Sequence, residues 1–258
     1  MFFKKEQKQR QFIKHSYEDY LHEKIGIEDV KTLPTNAHFL KDKLSKILGD
    51  SDDFYIRTIK LSEEQEIFFF YFKGLIDDQS FQNGIIKPLL ERRNRANKEK
   101  VDTYEELMTM TKFFEPTDWK DLIQQCTRGD IICQVNNTKP ITIALSAIEK
   151  RGLENPSTEQ QVYGPKFGFI EDVHTNIAIM RKYFSDPRLK IKKYFIGSIT
   201  HTPVALAYLD EYVDPDVLKE VQQRLQNIPA DNIFNTKILG QYLTDFTKTP
   251  FPLVQKTE

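Results

Sequence analysis

The chain has 258 residues, 39% hydrophobic and 29% charged, and its 37 Lys and Arg against 38 Asp and Glu leave a formal charge of −1. That balance is too apolar for intrinsic disorder and too charged for residence in lipid, and it gives no global positive field to attract a nucleic-acid backbone. A soluble globular chain of mixed class is expected, with no nucleic-acid partner.

The longest unbroken apolar run, 67–72, is far shorter than the roughly 20 residues that cross a bilayer. The start, Met1-Phe2-Phe3-Lys4-Lys5, lacks the apolar core of a secretory signal, so the chain is read as never exported. Residues 1–34 are dense in Lys, Gln and Glu, with Phe12, Ile13, Tyr17, Tyr20 and Leu21 at helical spacing. They read as a solvated arm, flexible or helical, with one sticky face, and a mobile tail or a helix packed on a partner is expected before a membrane-surface helix.

From Asn36 the pattern becomes regular. A helix is predicted over 36–48, with Phe39, Leu40, Leu44 and Ile47 on one side and Gly49 as its stop. Strands at 53–61 and 67–72 flank the turn Ser62-Glu63-Glu64-Gln65, which makes a hairpin. Helices are predicted at 80–93, 104–113 and 118–126, the first ending in a basic run through Lys100 that reads as a solvated helix end. A second hairpin, 131–135 with 141–145, turns at Asn136 to Lys139. The second half repeats the order: a helix at 169–184 with Phe169, Val173, Ile177, Met180 and Phe184 in one stripe, strands at 189–197 and 203–209, then a helix capped by Asp214 with Pro215 at its first position. Val217, Val221, Leu225 and Ile228 form its predicted apolar face.

Both halves thus read helix, strand, strand, helix. The fold expected is α/β, two mixed subdomains over 35–150 and 151–258, each with a small sheet that must cover an apolar face with helices.

No constellation for catalysis emerges. The sequence holds no Walker loop, no dinucleotide glycine fingerprint and no nucleophile elbow. The five histidines at 15, 22, 38, 174 and 201 are scattered, and Cys126 and Cys133 lack zinc spacing and read as small buried hydrophobes, so neither a metal nor a cofactor is expected. The acidic pairs Asp52-Asp53, Asp77-Asp78 and Glu171-Asp172 read as helix caps or first-turn charges.

One segment combines turn formers, acids and aromatics in an unusual order: Glu154-Asn155-Pro156-Ser157-Thr158-Glu159, then Gly164-Pro165-Lys166-Phe167-Gly168-Phe169-Ile170-Glu171. It reads either as a structured linker or as a loop whose following helix start could meet an anion. Here the chain resembles the A subunits of spore germinant receptors, the GerA-type germination proteins. The resemblance rests on Asn155-Pro156, Glu159, Tyr163-Gly164-Pro165, Phe169-Ile170-Glu171, Thr175-Asn176 and Met180-Arg181, and continues through Gly197-Ser198, Tyr208, Arg224, Ile228, Asp231 and Phe251-Pro252. Looser matches run from Asn36 through Gly49, Asp52-Asp53 and Ile56-Arg57 to Gly74-Leu75-Ile76-Asp77. Asn155, Tyr163 and Ile170 depart from the family's usual Glu, Arg and Thr.

The resemblance implies a non-enzymatic signalling and assembly module on the cytoplasmic, spore-core side of the spore inner membrane. It would work with a nutrient-sensing B subunit and a C lipoprotein, and oligomerise with other A subunits in an ion-conducting complex. The membrane part of such a subunit would follow Glu258, so this chain is read as its excised soluble domain. A small-ligand-binding module with a cleft between the subdomains is the other reading. Candidate contact residues are Glu159, Gly164, Pro165, Gly168, Glu171, Asn176 and Arg181, with Arg224 secondary; Glu171 and Arg181 are too far apart along one helix to pair, so each needs another partner.

Overall fold

A computed structural model describes residues 16–26, 30–63, 65–93, 104, 112–135, 137–147, 169–233 and 235–244. In chain order its elements are α1 (Tyr17–Ile25), α2 (Ala37–Leu48), β1 (Phe54–Lys60), β2 (Glu66–Phe72), α3 (Asp78–Phe81), a π-helical turn (Gln82–Ile86), α4 (Lys87–Arg93), β3 (Phe113–Phe114), α5 (Trp119–Thr127), β4 (Ile131–Val135) and β5 (Ile141–Ile143). There follow α6 (Val173–Tyr183), β6 (Leu189–Ile196), β7 (Thr202–Leu209), α7 (Pro215–Gln226) and α8 (Thr236–Leu243).

The class is mixed α/β, as the sequence predicts, and helix-strand-strand-helix recurs as α2-β1-β2-α3 and α6-β6-β7-α7. The 131–143 hairpin does not stand apart. It joins β1 and β2 in one antiparallel sheet of order β1-β2-β4-β5-β3. β2 lies inside that sheet, so both its faces must be apolar. Phe68, Phe70 and Phe72 face α1, α2 and α5, in a core with Leu40, Leu44, Trp119 and Cys126. Ile67, Phe69 and Tyr71 face the opposite side, where α3, the π-helical turn and α4 supply Phe81, Ile85, Ile86 and Leu89. The predicted continuous helix over 80–93 is therefore interrupted, with the wider turn beginning at Gln82.

β6 and β7 make a separate two-stranded sheet, in register from Leu189↔Leu209 to Ile196↔Thr202. Because side chains alternate, one face carries Leu189, Ile191, Ala205 and Ala207 and packs on Val173, Ile177 and Met180 of α6. The other face carries Tyr194, Ile196, Val204 and Leu206 against Val221, Leu225, Ile238 and Leu239 of α7 and α8. At the hairpin turn Gly197 has φ 93, and a Cβ there would sit 2.9 Å from the Asp231 carbonyl oxygen, so only glycine fits.

Several expectations are corrected. Over 17–25 the arm takes its helical form, capped reciprocally by Ser16 and Asp19, but its apolar face meets this chain's own core and not a partner, with Tyr20 and Leu21 buried in the core of the larger sheet. In the 169–184 stripe only the central residues pack; Asp172 caps the helix, and Phe169 and Phe184 are exposed. In α7 Val217 is 58% exposed while Leu225 is 4% exposed, so the apolar face is confined to the helix's later turns. Phe113 lies in strand β3 instead of ending a helix, and the rest of that predicted helix, apart from Tyr104 and Lys112, lies outside the described residues.

Candidate functional site at the seam between the sheets

Between α2 and β1 runs Gly49-Asp50-Ser51-Asp52-Asp53; opposite it β6 begins Leu189-Lys190-Ile191-Lys192-Lys193. An acidic loop faces a basic strand, and the two are joined residue by residue. The Asp52 N–H donates to the Ile191 carbonyl (2.8 Å), the Ile191 N–H donates to Ser51 Oγ (2.9 Å), and the Lys193 N–H donates to Asp52 Oδ2 (2.7 Å). The outer edge of β6, which would otherwise be unpaired, is closed by this loop.

Arg181 of α6 fixes the centre. Its Nε donates to Asp53 Oδ2 (2.8 Å) and its Nη2 to Asp53 Oδ1 (2.9 Å), the fork geometry that guanidinium and carboxylate share. Nη2 also donates to Ser51 Oγ (2.7 Å) and Nη1 to the Leu189 carbonyl (2.9 Å). The guanidinium carbon lies 4.2 Å from the centre of the Phe72 ring, a cation over an aromatic face. Arg181 and Asp53 are both buried. Such a pair is tolerable in the interior because nearly every polar atom has a partner.

The remaining contacts spread from there. Lys190 is 2% exposed and donates to the Ile47 carbonyl at the end of α2. Burial, against the partial help of Asp210 and Asp50, lowers its amine to about 8. Lys192 Nζ donates to Asp50 Oδ1 (2.7 Å), and the Tyr208 hydroxyl donates to Asp50 Oδ2 (3.4 Å). Thr127 Oγ1 of α5 donates to the Ser185 carbonyl (3.2 Å). Gly74 packs beside α6, where a Cβ would make ordinary contact with the His174 carbonyl at 3.6 Å.

The sequence-predicted residues divide sharply. Arg181 is central, and the partner it was expected to need is Asp53, 128 positions earlier. The cap reading of Asp52-Asp53 is overturned; it holds for Asp77 and Asp172, which accept backbone N–H bonds at the starts of α3 and α6. Asn176 closes the entry to α6, accepting from the Ile170 N–H (2.8 Å) and donating to its carbonyl (2.6 Å). Glu171, expected on the helix, is exposed and precedes the cap. Arg224 donates to Glu220 one turn earlier and to the Leu243 carbonyl, tying α7 to α8. Glu159, Gly164, Pro165 and Gly168 lie outside the described residues. Ser51 and Lys190 were missed; the signal that could have found them is the complementary pair of runs, acidic at 50–53 and basic at 190–193.

Chemically, the seam positions and pairs: Ser51 Oγ donates to Asp53 Oδ1 (2.7 Å), a carboxylate that Arg181 already holds through two bonds. Among the described residues no group of His, Cys, Asp and Glu could hold a metal ion, and no helix is long and apolar enough to cross a membrane.

Comparison with known proteins places the chain in a lineage. The family described as Bacillus/Clostridium GerA spore germination protein matches residues 42–258. The chain is 31% identical to spore germination protein KA of Bacillus subtilis (strain 168) over 83% of its own length and 40% of the relative's. It is 30% identical to spore germination protein B1 of the same organism, over 84% of this chain and 45% of that one. The chain thus spans less than half the length of these relatives. A crystal structure of the N-terminal domain of the A subunit of the Bacillus megaterium spore germinant receptor GerK3 shares the fold, with a TM-score of 0.60 at 24% identity, covering 87% of this chain and 84% of that one.

Proposed function

The chain belongs to the Bacillus/Clostridium GerA spore germination protein family, and from that premise we propose that it is the N-terminal signalling and assembly domain of a germinant receptor A subunit. It passes the nutrient signal by a change in how two subdomains, 35–150 and 151–258, sit on each other, and it performs no reaction itself.

The observation that carries this reading is the buried Arg181–Asp53 pair. A packed seam does not slide continuously, and one built on paired charges adds the cost of stranding a buried ion at every intermediate position. A unit built that way has discrete arrangements, and discrete arrangements are what a signal can select between. The partners proposed are the B and C subunits of the receptor and further copies of the A subunit. The location proposed is the spore inner membrane, with this domain on the core side and the membrane reached through the part of the relatives that this chain does not span.

The surface before α6 is the proposed contact with those partners. Phe169 is 64% exposed and Ile170 48% exposed, beside exposed Glu171, and adjacent exposed apolar side chains mark interaction surfaces more often than chance. Glu159, Gly164, Pro165 and Gly168 belong to the same proposal through the sequence, with Asn176 shaping the turn and Arg224 bracing the helices behind the hairpin.

The test is germination of spores whose full-length receptor carries Arg181→Met together with Asp53→Leu, which removes the pair without stranding a buried charge. Loss of nutrient response at normal receptor abundance is expected, and an unaltered response would remove the seam from the signalling path. Glu171→Ala should slow germination without lowering abundance; unchanged rates would remove the contact surface alone.

A further inference from the structure

α1 packs on the larger-sheet unit through Tyr20 and Leu21 and reaches the hairpin unit at its rim. Its Glu18 accepts from Lys120 of α5 (2.9 Å), on the larger-sheet side. Its Lys24 lies 3.4 Å from Asp210, at the end of β7, and the Arg188 guanidinium before β6 stands over the Tyr20 ring at 5.8 Å. Between these rim contacts Tyr20 and Leu21 enter the core shared by α2 and α5. The helix therefore bridges the two units a short way from the Arg181 seam, near enough that Lys24 acts electrostatically on Lys190.

The attachment is incompletely satisfied. The hydroxyls of Tyr17 and Tyr20 are both buried, and neither has a hydrogen-bond partner among the described residues. A buried hydroxyl without a partner has given up its water for nothing. The two ion pairs are partly solvated, which makes them weak. A nine-residue helix has little stability of its own. Immediately after it, Gly26 takes φ 60, a conformation open to glycine. The segment beyond is well held: the Trp119 N–H donates to the Val30 carbonyl (3.2 Å), Trp119 Nε1 to the Thr32 carbonyl (3.1 Å) and Gln134 Nε2 to the Pro34 carbonyl (2.8 Å). The helix is thus held by two apolar anchors, Tyr20 and Leu21, with weak polar ties, and its downstream anchor is firm.

We infer that α1 is a releasable strap: it swings away about Gly26 while both sheets stay folded, and its seating restrains the two units against each other. Release would hydrate the Tyr17 and Tyr20 hydroxyls and break the Lys24–Asp210 bridge, the one ion pair that joins α1 to the hairpin unit among the described residues. The inference does not depend on the receptor function proposed above.

The two cysteines provide a built-in test. Cys126 lies in the core that α1 covers, near enough to the Tyr17 hydroxyl to influence it, whereas Cys133 lies in the core on the opposite face of the sheet. Both thiols are buried in the seated state. The intact chain is labelled with N-ethylmaleimide under native conditions and the modified site is mapped by mass spectrometry. Cys126 should react at least ten-fold faster than Cys133, Lys24→Ala should raise the Cys126 rate several-fold, and Tyr17→Phe with Tyr20→Phe should lower it, with Cys133 unmoved in each. Two thiols reacting together at the rate of global unfolding would overturn the strap. So would a fast Cys126 whose rate ignores all three substitutions.

Discussion

β2 and β6 are each the strand on which one sheet unit is organised, and they solve burial in opposite ways. β2, Glu66–Phe72, places apolar side chains on both faces and asks only for shape, which aromatic pairs such as Phe69–Phe81 and Tyr71–Phe81 supply edge to face at 5.4 and 5.2 Å between ring centres. β6, Leu189–Ile196, buries Lys190 beside leucine and isoleucine and must find an oxygen for every nitrogen it takes from water. The contrast teaches that the larger sheet is built for stability and the seam for a defined orientation. Either interface loses contact by slipping, but a slipped charge pair also leaves ions buried without partners.

The largest test of that contrast is to leave half a pair behind. Arg181→Ala strands the buried Asp53 carboxylate and should cost about 3–5 kcal/mol in urea unfolding, whereas Arg181→Met with Asp53→Leu should recover most of it. If the single variant costs under about 1 kcal/mol, the seam is not the close-fitting charged interface described above.

Next in size is the pH dependence of Lys190. Its folded value near 8 lies below the ordinary 10.5, so between these values the unfolded chain holds a proton that the folded chain has released. Stability should therefore rise as pH climbs from about 8 towards 10, and below 8 the buried charge should cost on the order of 3 kcal/mol. Above 10 the opposite sign takes over, because burial holds the phenols of Tyr17, Tyr20, Tyr104 and Tyr208 above their usual range and the unfolded chain loses those protons first. Lys190→Met should flatten the rise between 8 and 10; an unchanged slope in urea melts would assign it to another group.

The last test sets the smallest expected effect against a large one at two positions of one helix. Val221→Asp puts a charge against the hairpin core and should unfold that unit, as the sequence pattern already suggests. Val217→Asp, at an exposed site, should change stability by no more than about 0.5 kcal/mol. Equal effects in thermal melts would mean that α7 is rotated from the face described.

The sequence by itself determined the elements whose signals are local. Alternation announced β1, an unbroken aromatic run announced β2, the Asp214-Pro215 pair announced the start of α7, and Gly49 announced the end of α2, because such runs, caps and stops are settled within a few residues. Family membership was legible for a related reason, as it rests on short motifs such as Gly164-Pro165 and Met180-Arg181. What only the tertiary structure decided is which distant groups meet. Nothing local distinguishes Asp53 from an N-cap, yet Arg181 reaches it across 128 positions. Nothing local said that Tyr20 and Leu21 would find a core instead of a partner. Helices and strands are chosen by neighbours in sequence, whereas burial and charge pairing are properties of the packed whole, where desolvation is shared among groups that meet only when the chain has folded.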